Sequence, residues 1–134
     1  IKKNSISYKN MNFSIEKGEK HHLLKSNTTN LNSAVSPELK AELVLMNKKG
    51  AKNIIIDLAN TKYCDSSGLS AVLLAQRLCR ESKGTFVLTG VTTHIQKLIE
   101  ISQLDRVLNI TPTLSEAVDL IFMDEIERDV DESG

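Results

Sequence analysis

The chain has 134 residues, 40% of them hydrophobic and 25% charged, the proportions of one globular domain that buries a core without staples. These counts exclude a disordered chain and a disulfide scaffold. Lys plus Arg and Asp plus Glu are equal at 17 each, which argues against nucleic acid as a partner. The charge is nevertheless segregated: residues 1–52 hold ten basic and four acidic side chains, net +6, and residues 53–134 hold seven and thirteen, net −6.

Ile1–Asn10 is polar, with Lys2, Lys3 and Lys9, and lacks the apolar core of a signal peptide. No apolar run approaches the ~18 residues of a membrane span. A reducing cytoplasm is the expected compartment, and Met11 offers an alternative start. The chain is expected to divide into an N-terminal extension, 1–11, a domain, 12–126, and an acidic tail, 127–134, that frays. Cys64 and Cys79 form no CxxC pair, and the three histidines are not spaced to complete a metal site with them, so no metal or cofactor is expected.

Asn12–Lys17 and Lys20–Lys25 alternate as strands about Gly18 and predict a hairpin. Ser26–Ser36 is rich in Asn, Ser and Thr and reads as a loop. Ser36-Pro37 opens a helix, the serine accepting from orphan amides, with Leu39, Leu43 and Met46 at helical spacing and Gly50 as the stop. Asn53–Leu58 is an apolar, β-branched run that fits a strand buried on both faces. A loop runs from Ala59 to Asp65. Ser66 or Ser67 then caps a second helix reaching about Ser82, with Gly84 as its end. Thr85–Thr89 is a strand. Thr92 or Thr93 caps a third helix, Val107–Ile110 is a short strand, and Thr113 with Glu116 forms a capping box for the last helix. Alternating strands and helices predict an α/β fold with right-handed crossovers and a parallel sheet, here preceded by an antiparallel hairpin.

The chemistry concentrates at Asp65-Ser66-Ser67-Gly68-Leu69, where a loop beyond a buried strand meets a helix. Ligand sites in open α/β sheets gather at the carboxyl ends of strands, and helix N-termini welcome anions. An exposed serine there is a good phosphoacceptor, although capping alone also accounts for the three polar residues. A nucleophile elbow is disfavoured, since Cys64 stands where its first glycine belongs and His94 is distant in sequence. The helix is apolar almost all round, so it is either buried or offers a flank near Leu69 and Leu73 to a partner. Tyr63 and Phe86 are expected in the core, Cys64 as a small packed residue, His94 on an exposed helix face, and His21 and His22 on opposite sides of one strand.

This motif, with Asp57-Leu58 upstream, Phe86-Val-Leu-Thr-Gly90, Leu98-Ile-Glu-Ile101 and Ser102-Gln-Leu-Asp105 downstream, resembles the signature of STAS domains, most closely the stand-alone bacterial anti-sigma factor antagonists. The likeness covers roughly Asn12 to Glu125. It implies a mixed sheet with about four helices and a binding module rather than an enzyme. It implies that the unmodified protein binds an anti-sigma factor that is also a serine kinase of the Bergerat-type ATP fold. That kinase phosphorylates the serine after the motif Asp, here Ser66, and a metal-dependent serine phosphatase resets it, so that transcription follows sigma-factor release. Asp65, Ser67, Gly68, Leu69 and Leu73 would form the switch and partner surface with Asn30 and Asn32. Asn30-Leu31-Asn32 carries amides where many members carry Glu and Asp, so contacts there would rest on neutral hydrogen bonds. The alternatives are an unphosphorylated STAS scaffold in a transport or sensory complex, and a nucleotide-binding or hydrolytic enzyme.

Overall fold

The computed structural model describes residues 7–9 and 12–133. The predicted hairpin is present as β2 (Phe13–Lys17) and β3 (His22–Ser26). Ser7–Lys9, inside the segment expected as an extension, forms β1 and pairs antiparallel with β2; the rest of that segment lies outside the described residues. β3 pairs in parallel with β5 (Ile54–Asp57), β5 with β7 (Phe86–Thr89), and β7 with β8 (Asn109–Thr111), giving one six-stranded sheet in the order β1-β2-β3-β5-β7-β8. The central strands are buried on both faces, as their uninterrupted apolar runs require.

Three helices, α1 (Ser36–Lys48), α2 (Ser66–Glu81) and α3 (Thr93–Ile101), cover one face. Their Leu39, Leu43, Val72, Ala75, Ile95 and Ile99 pack with Phe13, Leu24, Ile54, Ile56 and Phe86 in the main core. The other face is covered by α4 (Leu114–Ser133), whose Ala117 and Ile121 meet Leu23, Ile55 and Val87.

The two expected loops contain β4 (Asn30–Leu31) and β6 (Tyr63–Cys64), which pair in parallel as a separate small sheet. Val35, not Ser36, stands at the cap of α1, and the Ser36 hydroxyl instead donates to the Asn32 carbonyl at 2.8 Å. The turn after α2 places Lys83, at φ 62°, in the left-handed region, and Gly84 is needed for another reason: a Cβ there would overlap the Lys52 carbonyl. His21 precedes β3 rather than lying in it. A single 3₁₀ turn, Leu104–Arg106, pushes the last strand two residues later than its predicted start.

Residues read as an acidic tail continue α4, and one of them is anchored. Arg128 donates through Nη1 to Thr85 Oγ1 at 2.9 Å, and through Nη2 to Glu125 Oε2 at 2.8 Å and Asn53 Oδ1 at 3.3 Å. Asn53 in turn donates to the Lys20 carbonyl at 2.8 Å and to Glu125 Oε2 at 2.7 Å, and accepts from the Thr85 amide at 2.8 Å. This clasp fastens α4 across the starts of β5 and β7, at the end of the sheet away from the motif.

Candidate functional site

The small β4–β6 sheet brings the two predicted segments together: Asn30 pairs with Tyr63 and Leu31 with Cys64, and the Asp65 amide donates to the Leu31 carbonyl. Buried hydroxyls hold the loop from below. Ser26 Oγ and Thr61 Oγ1 lie 2.7 Å apart, and Thr61 donates to the Thr28 carbonyl at 2.7 Å. From the side, Thr92 leans its hydroxyl on the carbonyls of Thr61 and Lys62.

Asp65, rather than either serine, caps α2. Its Oδ1 accepts from the Ser67 amide at 2.9 Å, the Gly68 amide at 3.1 Å and the Ser67 hydroxyl at 2.6 Å. The Ser67 hydroxyl above all, with these amides and that of Ser33, holds the Asp65 carboxyl below its ordinary pKa, so it stays ionised at neutral pH. Ser67 Oγ also lies 3.1 Å from Ser36 Oγ on α1. Ser66 is different: its side chain is exposed, and among the described residues its hydroxyl makes no hydrogen bond. The motif thus contains one committed serine and one free serine.

Gly68 is buried because nothing larger fits; a Cβ would stand 2.5 Å from both Cys64 Sγ and the Leu31 carbonyl oxygen. Leu69, read as part of a partner flank, is only 6% exposed and belongs to the core, which leaves Leu73, half-buried, as the accessible residue of that pair. Tyr63, expected in the core, is 50% exposed and meets the ring of His94 edge-on with centroids 5.1 Å apart. This pair beside the motif was missed because nothing local in the sequence joins residues 63 and 94. No hydrogen bond links His94 to a serine among the described residues. Burial, and then the Asp65 charge, push the Cys64 thiol up to about 11, so it is a packed residue and not a nucleophile. Asn30 is exposed; Asn32 spends its carboxamide oxygen on the Ala34 amide at 3.0 Å. No group of three or more potential metal ligands occurs among the described residues, and no described helix is long and apolar enough to cross a membrane.

Residues 27–112, bounded by these elements, match the family model described as Mlab, STAS domain. The chain belongs to the STAS family. A Bordetella bronchiseptica relative named as a candidate anti-sigma factor antagonist, BtrV, is 36% identical to this STAS domain over 72 residues, which is 54% of this chain and 62% of that protein. The match therefore spans less than two thirds of that relative. Among solved structures, an anti-sigma-factor antagonist (STAS) domain protein from Planctomyces limnophilus has a TM-score of 0.76 at 14% identity, covering 82% of this chain and 97% of that one. The Bacillus cell fate determinant SpoIIAA in its phosphorylated form has a TM-score of 0.64 at 22% identity, covering 81% and 98%. At such identities the structural likeness establishes the STAS fold, with its mixed sheet and four helices.

Proposed function

We propose that this STAS domain is a cytoplasmic anti-sigma factor antagonist, a binding module switched off by phosphorylation at Ser66. Its partner in this reading is an anti-sigma factor with serine kinase activity of the Bergerat-type ATP fold, and a metal-dependent serine phosphatase restores it. The observation that carries the reading is the contrast between the exposed, unbonded Ser66 hydroxyl and the Ser67 hydroxyl held by Asp65. A kinase can take Ser66 without breaking a hydrogen bond, whereas Ser67 must first be released from an ionised acceptor. The name of the Bordetella relative supports the same assignment.

The electrostatics give the switch its sign. A phosphate adds about −1.5 to −2 charge at pH 7. The helix amides of Ser67 and Gly68, which would otherwise neutralise an anion, are already committed to Asp65. Phosphorylated Ser66 therefore stands beside an ionised carboxylate, and a partner surface fitted to a neutral hydroxyl meets repulsion and a desolvation cost. A loss of ~3 kcal/mol weakens binding roughly a hundred-fold. Asn30 and Leu73, exposed and half-buried near the motif, would complete the contact with Asp65.

The test is a pull-down from lysate of the native cells with wild type, Ser66→Ala and Ser66→Asp, together with phosphosite mapping of the wild-type protein. A serine kinase retained by wild type and Ser66→Ala, lost by Ser66→Asp, with phosphate on Ser66, is the expected result. Retention of the same partners by all three, with no phosphate at Ser66, overturns the switch and favours a scaffold.

A further inference from the structure

The last helix is apolar on two sides. Ala117 and Ile121 are fully buried against the sheet, with Arg128 anchored on the same side. Met123, Ile126 and Val130 are 60%, 60% and 63% exposed. Their spacing of three and then four residues lines them up as one stripe, about 180° around the helix from the buried face. Isolated exposed apolar side chains are ordinary, whereas these three stand in register and point away from the core as one apolar stripe. The stripe is set in negative charge. Asp119 continues it one turn earlier, and Glu127 borders one side and Asp129 the other, whereas Asp124 and Glu125 are turned toward Thr85, Asn53 and Arg128 on the sheet side.

We infer that the outer face of α4 is a docking surface for a partner helix with its own apolar seam flanked by lysine or arginine. Charge selects this occupant: a second copy docked α4 to α4 would set acid against acid along the seam, whereas basic flanks pair with Asp119 and Glu127. The surface belongs to the end of the sheet where Arg128 meets Thr85 and Asn53, at the starts of the strands, while Ser66 follows their ends. A partner on α4 leaves the serine accessible, so the two surfaces can be occupied together. This inference does not depend on the proposed switch.

The probe is a fluorescent three-heptad peptide with leucine at positions a and d and lysine at e and g, kept dilute enough not to pair with itself. A version with glutamate at e and g and a scrambled lysine version serve as controls. The full chain is compared with Met123→Ser/Ile126→Ser/Val130→Ser, a variant that alters only exposed side chains and whose folding is checked by circular dichroism. Saturable binding of the lysine peptide alone, weakened at least ten-fold in the triple variant, is the expected result. No binding, equal binding by the scrambled peptide, or no loss in the triple variant overturns the inference. So does a dimer in sedimentation equilibrium that the triple variant abolishes, since the occupant would then be a second copy.

Discussion

Ser66 and Ser67 are adjacent and chemically identical, yet their substitutions should separate cleanly. The Ser66 hydroxyl has no hydrogen bond among the described residues, so Ser66→Ala should change stability by no more than about 0.5 kcal/mol. Ser67→Ala removes the hydroxyl that donates to Asp65 at 2.6 Å and sits beside Ser36, and should lower the thermal midpoint measurably. A Ser66→Ala protein as destabilised as Ser67→Ala would contradict the assignment of the free hydroxyl. One residue further on, Gly68 is a packing requirement. Gly68→Ala drives a methyl against Cys64 Sγ and the Leu31 carbonyl, which cannot both retreat while β4 and β6 stay paired. The expected cost is about 1–3 kcal/mol in urea unfolding, and a cost near zero would mean that the small sheet yields.

Elements that carry their own pattern were legible in the sequence, and those defined by a neighbour were not. The Ile54–Asp57 strand declares itself by a β-branched run too short for a helix, and α1 by the spacing of Leu39, Leu43 and Met46. Two-residue strands such as Asn30–Leu31 and Tyr63–Cys64 carry no periodicity, because each exists only through the other. For the same reason Tyr63 was misplaced: its aromatic ring suggests a core, but the pairing that seats Cys64 inward turns residue 63 outward. Leu69 stayed open between core and partner flank because α2 is apolar nearly all round, and periodicity cannot say which flank is covered; the fold buries it. The motif itself was legible, but not which of its three polar residues caps the helix. The long reach of α4 was hidden by its acidity, which resembles a solvated tail until Arg128 finds Asn53 and Thr85. That clasp yields its own prediction. Asn53→Ala strands the buried Thr85 amide and removes the donor to Glu125, so it should cost about 2–3 kcal/mol. An Asn53→Asp variant should not rescue it, since a carboxylate can accept from Thr85 but cannot donate to Glu125.

For the molecule as a whole, the clasp and the hairpin turn together set the shape of its acid limit. Hydrogen bonding from Asn53 foremost, then from Arg128, with the charge of Lys52 3.6 Å away, lowers the Glu125 carboxyl from 4.5 to about 2. A carboxylate with a depressed folded-state pKa adds stability that is complete above its unfolded value and is lost as pH falls from about 4.5 toward 2. His21 and His22 act earlier and in the same direction. Burial lowers both, and the charge of Lys17 lowers His22 further. The folded state binds their protons less readily than the unfolded chain, so stability declines as pH drops below the ordinary histidine value of 6.5. The thermal midpoint should therefore fall in two stages on acidification, a shallow one beginning near pH 6.5 and a second below pH 4.5. Glu125→Gln should make the second stage shallower, leaving the share carried by Asp65, and should leave the first stage, which the histidines carry, unchanged. Midpoints measured by circular dichroism from pH 7 to pH 3 decide the matter: a variant curve parallel to wild type below pH 4.5 would mean that the clasp contributes no proton-linked stability, and that its hydrogen bonds position α4 without coupling its docking to pH.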